Sequence, residues 1–409
     1  MLSVARLWIR TGFRRTQSTT TPRLPDAIGG VNGGDGGPIY MKICFLGLEN
    51  LPVLAPEFNH HGIGGEEVQH TLLAKSLARR GHDVSMVVYD YGQEDHARWD
   101  RVSTFKAYRA DAGIPVIRFV HPRWTGIWQA LRRADADIYY VSCAGMHLGL
   151  VALFCKVYRR KWVFRVAHDT DCEPDNLLVQ YWRDKRLYEY GLRRSPAILV
   201  QTHRQQQAIL ANYGLQSRQV GMLVDFPTRR YDFDERTFDV LWVNNLRQFK
   251  RPDLFLALAR RLPELQFHMI GGPQPGFETM FEQTRHDALD IPNLTFHGRV
   301  PYHEMDQKYG RARVFVNTSD SEGFPNAFLQ AWVRGTPVVS FFDPDQLIKR
   351  ESLGQAVSSI DDMANAVMAF SIDQTRWTDA SERCASYMTR AFGEDRILAP
   401  YLAVFSEAA

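Results

Sequence analysis

The residues that could do chemistry in this chain sit in a few short segments between apolar runs. The most informative is Ser319-Asp320-Ser321-Glu322-Gly323-Phe324-Pro325-Asn326-Ala327, followed by Gln330 and by Gly335-Thr336-Pro337-Val338-Val339. An apolar strand, Val314 to Asn317, feeds this loop, and Gly335 and Pro337 stop the short helix after it. One carboxylate, Glu322, therefore stands in an amide-rich loop at the C-terminal end of a strand, where open α/β sheets bind ligands. Gly64-Gly65 opens a helix after the first strand and a long loop. Glycines let a ligand approach the backbone, and a helix N-terminus offers unpaired N–H groups to a phosphate. His168-Asp169 ends the strand Trp162 to Val166, so the imidazole is expected at the same crevice. Asp-x-Asp pairs, the pattern of a divalent-metal site, occur at Asp135, Asp169, Asp232 and Asp343. Only Asp169-Thr170-Asp171 follows a strand, and no metal site is expected.

The elements that must position these residues alternate. Strand-like runs over Ile43–Leu46, Val84–Val88, Val116–Phe119, Ile138–Val141, Trp162–Val166 and Ile198–Val200 are separated by amphipathic segments such as Glu66–Arg80. The pattern breaks over Gly214–Glu235. It restarts with strands at Val240–Val243, Gln266–Ile270 and Leu294–Phe296, and a helix at Pro252–Arg261. Alternating elements imply parallel sheets covered by helices on both faces, and 409 residues is long for one core. The expected class is α/β, with an N-terminal domain over 41–222, a second over 223–385 and a terminal helical segment over 386–409. Residues 1–40 are Arg-, Ser/Thr- and Gly-rich and are expected to be a disordered extension. The residues alone leave open an organellar presequence or a start placed ahead of Met41. Five scattered cysteines, never paired as C-x-x-C, point to a reducing compartment. The longest apolar stretch, Ala144–Cys155, is too short to span a bilayer and reads as a buried helix. A net charge of +3 does not argue for nucleic acid.

From residue 41 onward the sequence resembles the family-4 retaining glycosyltransferases of the GT-B fold. The likeness rests on Glu322-Gly323-Phe324-Pro325 and Gly335-Thr336-Pro337-Val338-Val339, on Gly64-Gly65, on His168, on Lys250 after a strand, and on the strand-end turns Gly271-Gly272-Pro273 and His297-Gly298-Arg299. The resemblance implies two Rossmann-like domains facing across a cleft, with a C-terminal helix crossing back to the first. It implies a nucleotide-diphosphate sugar as donor and no cofactor. Glu322 and His168 would orient the transferred hexose, and Lys250 would neutralise the departing diphosphate. Gly64, Gly65, Gly272, Gly298, Phe324, Pro325, Asn326 and Ala327 would bring backbone to the donor. Two positions depart from the pattern. Asn245 stands where an arginine is usual, and Gln330 replaces the second Glu, which accepts from ribose hydroxyls. Arg247 or Arg251 could restore the missing cation. The implied reaction is retaining hexosyl transfer to a glycan or lipid-linked acceptor in polysaccharide or glycoconjugate synthesis. The two lost charges keep a second reading, a non-catalytic GT-B protein that binds sugar nucleotide or a partner enzyme.

Residues 121–220 carry fifteen Lys/Arg against eight Asp/Glu, interleaved with Trp124, Trp128, Tyr158, Trp162, Tyr181 and Trp182. Basic and aromatic side chains together suit an anionic membrane surface. The first domain is accordingly expected in the cytoplasm, peripheral on the inner membrane face. A solvated basic face over ordinary core aromatics is the alternative.

Overall fold

The computed structural model describes residues 40–58, 63–114, 117–274 and 276–408; the extension expected over 1–40 lies, but for Tyr40, outside them. The first sheet contains β1 (Lys42–Leu46), β2 (Asp83–Val88), β3 (Arg98–Trp99), β4 (Val102–Lys106), β5 (Ile138–Ser142), β6 (Lys161–Arg165), β7 (Ala197–Val200) and β8 (Arg218–Gln219). Its order is β3-β4-β2-β1-β5-β6-β7-β8, and only the β3–β4 pair is antiparallel. The second sheet contains β9 (Phe238–Val243), β10 (Phe267–Ile270), β11 (Leu294–Gly298), β12 (Ala312–Asn317), β13 (Val338–Ser340) and β14 (Gly354–Ala356). It is parallel, in the order β11-β10-β9-β12-β13-β14.

The strands form where they do because helices bury both of their faces. Alternate residues go to different cores. Ile43, Phe45, Val84 and Met86 pack with Leu72, Leu73 and Leu77 of the helix Gly65–Arg79, whereas Cys44, Leu46, Val87 and Tyr139 pack with Ile127 and Leu131 on the opposite face. The first of these cores continues into the second domain through Leu241, Phe315, Phe328 and Trp332. A separate core behind the second sheet holds Val240, Trp242, Phe255 and Phe267.

The helix Glu394–Ala408 returns to the first domain. Tyr401 donates to the carbonyl of Gly221 at 3.0 Å, Phe405 packs edge-on to Tyr140, and Arg218 pairs with Glu407 at 2.6 Å.

One expected strand is not a strand. Ile117 and Arg118 lie in a turn, and Phe119–Trp124 is a wide helical turn; residues 115 and 116 are outside the described set. The sheet position beside β2 is filled instead by Val102–Lys106, whose Ser103, Thr104 and Lys106 hid it. Val116–Phe119 read as buried because it is apolar but for Arg118, yet Ile117 within it is 54% exposed and Val120 just after it 57%. The remaining expected strands agree with the structure to within a few residues, and the apolar stretch after Ala144 is the buried helix Met146–Tyr158.

That helix crosses the helix Trp182–Leu192 at two glycines. A Cβ on Gly149 would fall 2.3 Å from the Leu187 carbonyl oxygen, and one on Gly191 would meet the Leu148 backbone at 2.7 Å. A side chain at either site must push the helices apart. Gly149→Val is expected to lower unfolding stability by about 2–3 kcal/mol, measured by urea denaturation, with Gly214→Asn, at an open left-handed turn, as the near-neutral comparison.

Candidate functional site

Loops at the C-terminal ends of β1, β6, β9, β10 and β12 enclose a cleft of about 1360 Å³ between the two sheets. Of the residues singled out from sequence, Gly64, Gly65, His168, Asn245, Lys250, Gly272, Glu322, Phe324, Pro325, Asn326, Ala327 and Gln330 line it. Gly298 does not; its carbonyl accepts from Gly271 N at 2.9 Å and so holds the neighbouring turn in place.

At the centre, Lys250 Nζ lies 2.6 and 2.5 Å from the two oxygens of Glu322, and Asn317 Nδ2 adds a bond at 3.2 Å. Both charged side chains are largely buried. Burial alone would raise the Glu322 pKa; the Lys250 charge and the hydrogen bonds outweigh it and hold the carboxyl below its usual range. The strands dictate this meeting. Lys250 ends a helical turn after β9, Glu322 follows the adjacent strand β12, and Asp320 N bonds the Phe249 carbonyl at 2.8 Å to join the two loops.

His168 reaches the same spot from β6. Its Nδ1 accepts from Thr170 N at 3.2 Å, which leaves the proton on Nε2. Nε2 is buried without a partner among the described residues. Burial lowers the pKa of the ring, with Glu322 opposing and Lys250 adding to the effect, so it is held neutral. An unpaired buried N–H awaits an acceptor. The backbones come close here too, since a Cβ on Gly323 would lie 2.7 Å from the Ala167 carbonyl oxygen.

Several polar groups that line the cleft also bond within the protein. Asn245 Nδ2 donates to the Ile63 carbonyl at 3.0 Å, Asn326 Nδ2 donates to the Gly65 carbonyl at 2.5 Å, and Gln69 Nε2 donates to Asn326 Oδ1 at 2.6 Å. The amide at 245 is thus committed to the glycine loop across the cleft. Gln330 is buried and its side-chain oxygen accepts from Arg334 at 2.8 Å. The side-chain carbonyl expected to accept from ribose is thus already bonded to Arg334. Arg251 is tied to Asp253 and Asp320 outside the cleft, whereas Arg247 lines it.

Sequence reading missed the support beneath the glycine loop. Arg165, 1% exposed in β6, puts Nη1 2.9 Å from both oxygens of Glu66 in the first turn of the Gly65 helix. Ser142 also donates to Glu66. The signal was an arginine inside the apolar run Trp162–Val166, which requires a buried partner. Glu67, curled over Gly64, also lines the cleft, and burial pushes its carboxyl up to about 7. Among the described residues no group of three or more His, Cys, Asp or Glu is placed to hold a metal.

Two Rossmann-like halves facing across a cleft, with a terminal helix returning to the first, define the GT-B class. Residues 63–223 match the family described as Glycosyltransferase Family 4, and residues 237–372 the family described as Glycosyl transferases group 1. The chain belongs to these glycosyltransferase families. It is similar to the O-antigen biosynthesis glycosyltransferase WbnH of Escherichia coli, 29% identical over 106 residues, which is 25% of this chain and 28% of that relative. The match therefore spans under a third of that relative's length. Among solved structures, sucrose-phosphate synthase of Thermosynechococcus elongatus superposes with a TM-score of 0.69 at 15% identity, covering 89% of this chain and 98% of the other. Anabaena HepE in complex with UDP and glucose gives 0.68 at 14%, covering 90% and 100%.

The Lys250–Glu322 pair makes a pH-dependent prediction. In the native chain the lowered Glu322 pKa contributes stability above the unfolded carboxyl range, and this is lost as pH falls through the folded value. Lys250→Met leaves Glu322 buried and unpaired, at a cost of about 3–5 kcal/mol. Its pKa should then rise above the unfolded value, reversing the sign, so that stability declines as pH rises. Unfolding curves between acid and neutral pH check this, and Lys250→Met/Glu322→Gln should recover most of the loss.

Proposed function

We propose that the protein is a retaining, metal-independent glycosyltransferase moving a hexosyl group from a nucleotide-diphosphate sugar to a glycan or lipid-linked acceptor. The observation that carries this reading is the meeting of Lys250, Glu322 and the unpartnered Nε2–H of His168 in one cleft. Glu322 accepts hydrogen bonds from hydroxyls of the transferred sugar, and His168 Nε2 donates to another oxygen of it. Lys250, Arg247 and the first N–H groups of the Asn326 helix face the diphosphate, whose growing charge they stabilise as the glycosidic bond breaks. The sugar carbon becomes oxocarbenium-like. An acceptor hydroxyl attacks from the face the diphosphate leaves, and its proton passes to the departing phosphate oxygen. The likeness to WbnH, a glycosyltransferase of O-antigen biosynthesis, and to HepE, solved in complex with UDP and glucose, supports a nucleotide donor and glycan assembly. Cysteines without a disulfide fit a cytoplasmic setting.

A specific observation favours a second reading. Asn245 and Gln330 are both hydrogen-bonded to protein, so these two amides expected on the nucleotide are already engaged within the chain. A non-catalytic sugar-nucleotide binder would share that feature.

Thermal-shift screening with UDP-, GDP-, ADP- and dTDP-sugars should find one stabilising donor, which the chain then hydrolyses or transfers with retention. Glu322→Gln and His168→Ala should each lower kcat by about 100-fold or more, with His168→Gln, which keeps an N–H donor, falling between. Donor binding with no turnover, unchanged by Glu322→Gln, would favour the binder; a shift from no donor would sink both.

A further inference from the structure

The first domain carries an exposed apolar ridge that the cleft does not use. Trp182 is 75%, Leu178 66%, Val120 57%, Ile117 54% and Tyr181 48% exposed. They belong to two segments, 117–124 and 178–186, that touch. The Arg183 guanidinium lies 3.9 Å from the centre of the Phe119 ring and 5.0 Å from that of Tyr181, and Phe119 packs on Trp124 at 5.3 Å. One helical turn on from Trp124, Trp128 contacts Tyr158, beside the exposed Val157 at the end of the helix Met146–Tyr158.

Cations edge the ridge. Residues 117–133 hold Arg118, Arg123, Arg132 and Arg133 with no carboxylate, residues 156–161 hold Lys156, Arg159, Arg160 and Lys161 with none, and residues 178–186 add Arg183, Lys185 and Arg186 against Asp184 alone. Some are neutralised within the protein: Arg160 by Asp135 and Asp137, Arg133 by Asp95. Arg118, Lys156, Arg159 and Arg186 are exposed and have no ion pair among the described residues.

Exposed aliphatic and indole side chains set among unpaired cations match a bilayer interface rather than a purely polar partner. The apolar groups enter the headgroup boundary while the cations remain with anionic headgroups. Nucleic acid would engage the cations but leave Leu178, Val120 and Ile117 in water. Among the described residues no helix is long and apolar enough to cross a membrane. We infer that the surface formed by residues 117–124 and 178–186 docks this protein on an anionic lipid bilayer. The same chain segment leads into the cleft. Arg109, Ala110 and Asp111 line its wall, and the Cβ position of Gly113 lies 2.7 Å from both Arg118 and Pro122 side chains. Docking on this surface therefore brings one wall of the cleft close to the headgroups, where a lipid-linked acceptor of the proposed transfer would stand.

Co-sedimentation of the full chain with phosphatidylcholine vesicles, with and without phosphatidylglycerol, tests the surface independently of turnover. The chain should pellet with the anionic vesicles and remain soluble with the neutral ones. Trp182→Ser/Val120→Ser and Arg118→Glu/Arg186→Glu should each reduce the bound fraction at least tenfold. All four sites are exposed, so the melting temperature of the free protein should not move. Failure to pellet with anionic vesicles, or variants that bind like the parent, would overturn the inference. So would charge-dependent retention of an oligonucleotide in place of vesicles. A thermal-shift measurement with the donor on the same samples separates the two proposals: donor binding without vesicle binding removes the surface alone, and the converse removes the transfer reading alone.

Discussion

Burial of both faces of two parallel sheets is the constraint from which the rest of this structure follows. A strand such as Ile43-Cys44-Phe45-Leu46, with each side chain packed into one core or the other, has no room for a polar group along its length. Polar chemistry is pushed to the edge where the strands end and loops begin. Parallel order puts all those ends on one side. Glu322, Lys250 and His168 therefore converge although they are distant in sequence, and the second sheet needs only to face the first for the edges to make one cleft.

Arg165 is the charged exception that shows the rule. It lies within a strand, fully enclosed, and is tolerated because Glu66 meets it. Removing one member would strand a charge in the interior, so the pair fixes the first turn of the Gly65 helix relative to β6. Gly64 and Gly65 are thus held from below by a buried ion pair and from across the cleft by Asn326 and Asn245. The glycine loop is flexible in composition and constrained in context.

Much of this was legible beforehand because it is local. Strand alternation, the glycines that stop helices and the position of Glu322 after β12 are all properties of neighbouring residues, and the two-domain plan followed from their order. What escaped depends on contacts between distant segments. No sequence pattern says that Lys250 and Glu322 neutralise each other, that Arg334 occupies Gln330, or that Asn245 reaches Ile63. The two strand errors share a cause. Val102–Lys106 carries Ser103, Thr104 and Lys106 among its five residues and looks like a loop, while Val116–Phe119 is apolar but for Arg118 and looks like a core strand. Which of them joins the sheet was decided by the neighbouring β2 and not by either segment's own composition.

The returning helix has a consequence for how the molecule is made. Tyr140 and the face of the first sheet around it are covered by Tyr401 and Phe405, and Tyr401 bonds to Gly221, 180 positions earlier. During synthesis from the N-terminus the first sheet can assemble well before that cover exists. It must wait with an aromatic face open to water until the whole second domain has been produced. The nascent first domain is thus an incomplete object, sticky on the side its own last helix will claim, and its solubility over that interval rests on whatever occupies the face in the meantime.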